Sequence, residues 1–203
     1  MRRAELVRKL QTVPPFPVAD ASREQVVTPP ELAAGMLEDA LARGDLLGRH
    51  VLDLGCGTGV LSIGASLLGA ERVTGVDSDA RALDLARSAA DRLGASVAWT
   101  CAAVEDLVVP ADTVLMNPPF GAQRRHADRP FWAAALAAAP RRIHAFALAD
   151  SRTFIARWAV AHSVRIEETR PVVWPLPATF PHHRKRRVEL AVDRWVLGTA
   201  HER

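Results

Sequence analysis

The 203-residue chain contains no tyrosine, two cysteines (Cys56 and Cys101) and two lysines (Lys9 and Lys185). Two cysteines allow one disulfide at most, and neither has a second Cys or a His at metal-ligand spacing. A disulfide framework and a metal cluster are therefore excluded. Long apolar runs are missing too: none approaches the roughly 20 residues that a membrane-spanning helix needs. The start, Met1-Arg2-Arg3-Ala4-Glu5, runs into more charge rather than an apolar signal core, so no export signal is expected. Low-complexity tracts and internal repeats are absent. The expectation is a protein of a reducing cytoplasm. With 49% hydrophobic and 24% charged residues, global disorder is excluded, and the length fits one domain.

The scarcity of lysine leaves arginine as 24 of the 26 cations. A GC-rich genome accounts for that choice but not for where the cations sit. Residues 1–117 hold 11 Lys/Arg against 16 Asp/Glu, a net −5, and residues 118–203 hold 15 against 7, a net +8. The overall +3 conceals an acidic half and a basic half, and the basic half suits a polyanion.

The apolar pattern alternates between strand and helix periods. A short basic helix over residues 1–10 is followed by Thr12-Val13-Pro14-Pro15-Phe16-Pro17, which breaks regular structure. Thr28-Pro29-Pro30-Glu31 reads as a helix start with Thr28 as cap, running to about Ala42 and stopping at Arg43-Gly44. Strands are expected at 51–54, 72–76, 97–100, 113–116, 143–148, 164–167 and 188–196. Helices are expected through Leu68, from Asp79 to Leu93, from Pro130 to Ala139 and from Thr153 to His162. Strands separated by helices predict a mostly parallel sheet covered on both faces.

The turn after the first strand, Asp53-Leu54-Gly55-Cys56-Gly57-Thr58-Gly59, lies at the carboxyl edge of such a sheet, where ligands bind. Asp77 ends the second strand about twenty residues on, where an acidic side chain can hold both hydroxyls of a ribose. The spacing departs from the GxGxxG of dinucleotide enzymes. It is similar to the first motif of class I S-adenosylmethionine-dependent methyltransferases. That resemblance implies that Asp53, Gly55, Cys56, Gly57, Thr58 and Val60 line the methionine side of the cofactor and that Asp77 takes its ribose.

Asn117-Pro118-Pro119-Phe120-Gly121 follows the fourth strand at the same edge. The prolines stiffen the loop and remove two donors. What remains is the Asn117 amide oxygen and the Pro118 carbonyl, two acceptors for one planar amino group. Phe120 can stack on the ring that carries the amine. Such acceptors free a delocalised nitrogen lone pair and stabilise the positive charge that grows on it during in-line transfer, so no prior general base is required. The tetrad resembles the Asn/Asp-Pro-Pro-Tyr/Phe motif of amino-group methyltransferases, which act on adenine N6, guanine N2 or glutamine N5. Asn117, Pro118, Pro119 and Phe120 are the candidate catalytic residues.

Four stretches narrow the resemblance: Glu24-Gln25-Val26-Val27-Thr28-Pro29, Asp53 to Gly64, Asn117 to Gly121, and Pro177-Ala178-Thr179-Phe180 running through His183-Arg184-Lys185-Arg186 to Asp193. Over residues 20–196 the chain resembles the methyltransferase-like protein 5 family, RNA adenine N6 methyltransferases of small-subunit ribosomal RNA. The resemblance implies a Rossmann-like class I α/β fold with a seven-stranded, mostly parallel sheet and an antiparallel last strand. It implies one domain over 1–203, with a cofactor-contacting N-terminal strap (1–30) and a core over 45–196. It implies cofactor contacts from Gln25 and Thr28, and from Val104 after the third strand. Two departures stand out. Val26 replaces a usual aromatic, and Ala103-Val104 replaces an Asp-Val pair, removing a side-chain hydrogen bond to the cofactor adenine unless Glu105 or Asp106 substitutes. The family also implies a small zinc-binding activator protein pairing with an edge strand, here the third, where Trp99 either is exposed and needs covering or packs on a neighbouring helix.

Arg124-Arg125-His126 and His182-His183-Arg184-Lys185-Arg186-Arg187 are the dense cationic runs, both in the half that carries the tetrad. Arg124, Arg125, His183, Arg184, Lys185 and Arg186 are candidate phosphate contacts that position RNA without reading its sequence. Protein glutamine N5 methylation, guanine N2 methylation of RNA, and a cofactor-binding RNA scaffold without activity are the competing readings.

Overall fold

The computed structural model describes residues 1–16, 26–120, 126–175 and 189–199. Seven strands form one sheet: β1 (His50–Leu54), β2 (Arg72–Asp77), β3 (Ala98–Cys101), β4 (Thr113–Met116), β5 (Arg142–Leu148), β6 (Arg165–Pro175) and β7 (Glu189–Gly198), in the order β3-β2-β1-β4-β5-β7-β6. Strands β1 to β5 pair in parallel. β7 runs antiparallel between β5 and β6. The described helices are α1 (Arg3–Leu10), α2 (Pro30–Ala42), α3 (Val60–Leu67), α4 (Ala80–Leu93), α5 (Arg129–Ala137) and α6 (Arg152–Ala161). None is long and apolar enough to cross a membrane.

Central strands carry apolar residues at successive positions because both faces are covered. Val51, Leu115, Phe146 and Val192 point into one core with Leu6 and Leu10 of α1, Met36 and Leu37 of α2, and Ile63 of α3. Leu52, Leu54, Val114, Met116 and Ile143 point into the other with Trp132 of α5 and Ile155 of α6. α1 is thus part of the core and not an appendage. Arg92 of α4 also clamps the segment after it, donating to the Thr12 carbonyl at 2.7 Å.

Two expectations need correction. Thr28 does not cap α2: Pro29 occupies the cap position with no side-chain hydrogen bond, and Thr28 is buried instead. The sixth strand does not end at residue 167 but continues to Pro175. As the sheet's edge strand it tolerates Pro171 and Pro175, whose missing N–H groups break no central ladder. A register irregularity between Ile166 and Glu168 accompanies an ion-pair network at the amino edge of the sheet. There Arg142 bonds Asp45 (3.0 Å) and Glu167 (2.8 Å), buried His144 bonds Asp45 (2.9 Å), and Arg43 and Arg194 pair with Glu168. This end holds the fold and leaves the carboxyl edge for chemistry.

Candidate active site

The glycine turn is pinned from below. Gly55 and Cys56 both donate to the Val76 carbonyl of β2, at 2.8 and 3.0 Å. The Gly57 N–H donates to Asp77 Oδ2 at 2.7 Å, and Asp77 Oδ1 accepts from the Asp79 N–H at 2.9 Å. Gly57 has φ +53°, and a Cβ there would stand 2.8 Å from the ring of Phe16. Gly59 begins α3 with φ +91°, and a Cβ there would meet Trp99 at 2.7 Å. Both positions demand glycine for conformation and for space.

A small, partly open cavity of about 30 Å³ lies over this turn. It is lined by Asp53, Gly55, Cys56, Gly57, Thr58 and Val60, by Thr28 with its neighbours Val26 and Val27, and by Asn117. Seven predicted cofactor residues therefore meet the predicted catalytic Asn117 around one space. Asp77 and Val104 lie outside that lining. Asp77 is at the end of β2, tied to Gly57. Val104 starts a 3-10 turn, and its side chain is buried in the second core, so backbone alone remains for contact. Gln25, Arg124, Arg125, His183, Arg184, Lys185 and Arg186 lie outside the described residues.

Asp53 is 1% exposed and accepts from the Ser62 N–H (2.9 Å) and Ser62 hydroxyl (2.6 Å) at the start of α3. Burial pushes its carboxyl up to about 7, against the opposing pull of the Ser62 bonds. Burial also raises the Cys56 thiol, with Asp53 and Asp77 adding to the effect, so Cys56 packs and does not act as a nucleophile. Two buried polar atoms at this cavity have no partner among the described residues: Thr58 Oγ1 and Asn117 Oδ1. Unmade buried hydrogen bonds are costly, and at a cavity wall they mark where a ligand completes the site. The amide of Asn117 is oriented by its Nδ2, which donates to the Val26 carbonyl at 3.4 Å. That leaves Oδ1 as the open acceptor. Pro118 is buried, and Phe120 is half-buried, its ring edge-on to Trp174 at 5.5 Å between centroids.

These features match known proteins. The methyltransferase small domain family matches residues 31–145. The chain is 32% identical to the rRNA N(6)-adenosine-methyltransferase METTL5 of Danio rerio, over 95% of this chain and 97% of that protein. The chain belongs to the methyltransferase-like protein 5 family. The Drosophila melanogaster member is likewise 32% identical, over 94% and 93% of the two chains. A crystal structure of a proposed RNA methyltransferase from Pyrococcus horikoshii superposes with a TM-score of 0.89, at 32% identity and 98% coverage of both chains. Membership makes the chain an S-adenosylmethionine-dependent methyltransferase with a class I fold. The cavity's orphaned Thr58 hydroxyl, its glycine cradle and buried Asp53 fit that cofactor.

Sequence reasoning missed Phe16, Phe131, Ser62 and Trp174. Phe131 of α5 packs where a Cβ on Gly55 would stand. Phe16 carried a signal, an aromatic isolated among prolines, but its contact with Gly57 is long-range. Of the two readings of Trp99, exposed or packed, the structure shows the packed one: its indole fills the space above Gly59 and Gly75.

Proposed function

We propose that the chain transfers a methyl group from S-adenosylmethionine to N6 of adenine in RNA, with small-subunit ribosomal RNA as its substrate. The observation that carries this reading is the buried, unpartnered Oδ1 of Asn117 at the wall of the cofactor-type cavity. Bound in that cavity, S-adenosylmethionine supplies an electrophilic methyl on a positively charged sulfur. Asn117 Oδ1 and the Pro118 carbonyl accept the two hydrogens of the target amine and turn its lone pair toward the methyl. Positive charge growing on nitrogen meets these two oxygen dipoles, and the proton leaves to solvent after transfer. Phe120 stacks on the flipped base. Asp53 offers negative charge to the cationic donor, Asp77 holds the ribose, and Thr58 contributes its free hydroxyl. Gln25 and the Val104 backbone complete the cofactor contacts.

The basic half supports RNA over protein as the substrate, with Arg124, Arg125 and His183 to Arg186 as phosphate contacts. Relatives named as rRNA N(6)-adenosine-methyltransferases support adenine over guanine. A small zinc-binding activator at β3 is part of the same proposal. β3 is an edge of the sheet, so among the described residues no strand pairs with one row of its backbone groups, which suits strand addition.

The test is labelled cofactor with purified protein, with and without an activator of that class, on small-subunit RNA, followed by nucleoside digestion. N6-methyladenosine is expected, and Asn117→Ala should reduce it by about 100-fold or more, on the order of one lost transition-state hydrogen bond. Label in protein glutamine, in guanosine, or in no product overturns the reading.

A further inference from the structure

The ring of Phe120 does not stand alone. It meets Trp174 of β6 edge-on, with centroids 5.5 Å apart and planes at 82°. Trp174 in turn meets Phe146 of β5 at 5.3 Å and 78°. Trp174 and Phe146 are both 0% exposed, while Phe120 is half-buried. The three rings form a graded series from the sheet core to the tetrad. Two structural elements distant in sequence thus set the attitude of one side chain. Phe120 follows the fourth strand, and Trp174 arrives from the antiparallel edge strand.

The indole N–H of Trp174 is buried without a partner among the described residues. An unpaired buried donor is unfavourable, and Phe or Leu at this position would be free of it. What an indole provides here is aromatic area: edge-to-face pairing restricts the angle of the partner ring in a way that aliphatic packing does not.

We infer that Trp174 is a positioning residue for methyl transfer, holding the ring of Phe120 at the attitude in which it receives the target base. This rests on the reading that Phe120 stacks on that base. Trp174 is not among the residues that line the cofactor cavity, and its ring contact toward the tetrad is with Phe120, so on this inference it acts through Phe120.

The experiment compares Trp174→Phe, Trp174→Leu, Phe120→Leu and the double variant Phe120→Leu/Trp174→Leu in the full chain. Each is assayed for kcat/KM on small-subunit RNA, cofactor affinity and melting temperature. Phe120→Leu should lose about 5- to 100-fold in kcat/KM for RNA, the scale of one base–aromatic stack. Trp174→Leu should lose about 3- to 10-fold, the scale of one aromatic pair, with cofactor affinity unchanged. Trp174→Phe should restore activity to within about 3-fold, because the aromatic edge is kept. The double variant should be no worse than Phe120→Leu, since the indole has no other route to the reaction. If Trp174→Leu does not fold, Trp174→Met carries the same comparison. Multiplicative losses in the double variant, or cofactor affinity falling together with activity, overturn the inference. An unaffected Phe120→Leu overturns the stacking reading itself.

Discussion

Asp53→Asn should make the cofactor-free protein more stable while weakening its grip on the cofactor. Asp53 is buried, and its carboxyl is pushed up to about 7, whereas a free aspartate titrates near about 3.9. The folded state therefore holds a proton that the unfolded chain has released at any pH between those values. Because the folded pKa is raised, stability is highest below about pH 4 and falls as pH rises toward 7. Each pH unit in that window removes about 1.4 kcal/mol, for a total of roughly 4 kcal/mol that is lost in full above pH 7. Asparagine keeps an acceptor for the Ser62 N–H and hydroxyl but carries no charge. At pH 8, urea unfolding should find Asp53→Asn more stable by about 2–4 kcal/mol, the lower figure allowing for an imperfectly paired amide. The gap should close toward pH 4. Isothermal titration should show wild-type cofactor affinity falling below pH 7 as Asp53 takes up its proton, and a flatter, weaker profile for the variant. A stability gap independent of pH, or a variant less stable than wild type at pH 8, would refute the argument that buried charge at Asp53 opposes folding.

Three further outcomes follow, two of them from the same turn. Gly57→Ala should weaken cofactor affinity by about 10-fold or more. Its left-handed φ of +53° and the ring of Phe16 2.8 Å from the new Cβ force both backbone and pocket to shift. Gly44→Ala shares a positive φ of 76° but meets no atom within 4 Å, so calorimetry should find about 1–2 kcal/mol of lost stability and unchanged cofactor binding. Thiol titration with an aromatic disulfide at pH 8 should find one reactive cysteine in the native protein, exposed Cys101. A second, Cys56, should appear only in denaturant, because burial keeps its thiol protonated.

What could be read from the sequence is what short-range chemistry determines. The turn from Asp53 to Gly59, Asp77 at the end of its strand and the tetrad at 117–120 each follow a run of apolar residues, and each stands where the pattern placed it. The edge position of β3 also matched. The length of β6 was misread because Pro171, Pro175 and the charged Glu167-Glu168-Thr169-Arg170 resemble a loop. Only the knowledge that this strand lies at an edge, with one side unpaired, makes them compatible with a strand. Thr28 carried the right chemistry for a cap, but Pro29 with ψ 134° took that place. The roles of Phe16 and Trp174 depend on contacts across 41 to 54 residues of chain, to Gly57 and Phe120, and no local pattern reports such contacts.

The insertion of β7 between β5 and β6 orders assembly in time. β6 hydrogen-bonds to no other strand, so it has no docking edge until β7, synthesised after it, has paired with β5. Trp174 rides on β6, so the ring behind the candidate tetrad is expected to be set only at that step. A chain that lacks β7 is expected to form the glycine turn but not the aromatic contact that Trp174 makes behind Phe120.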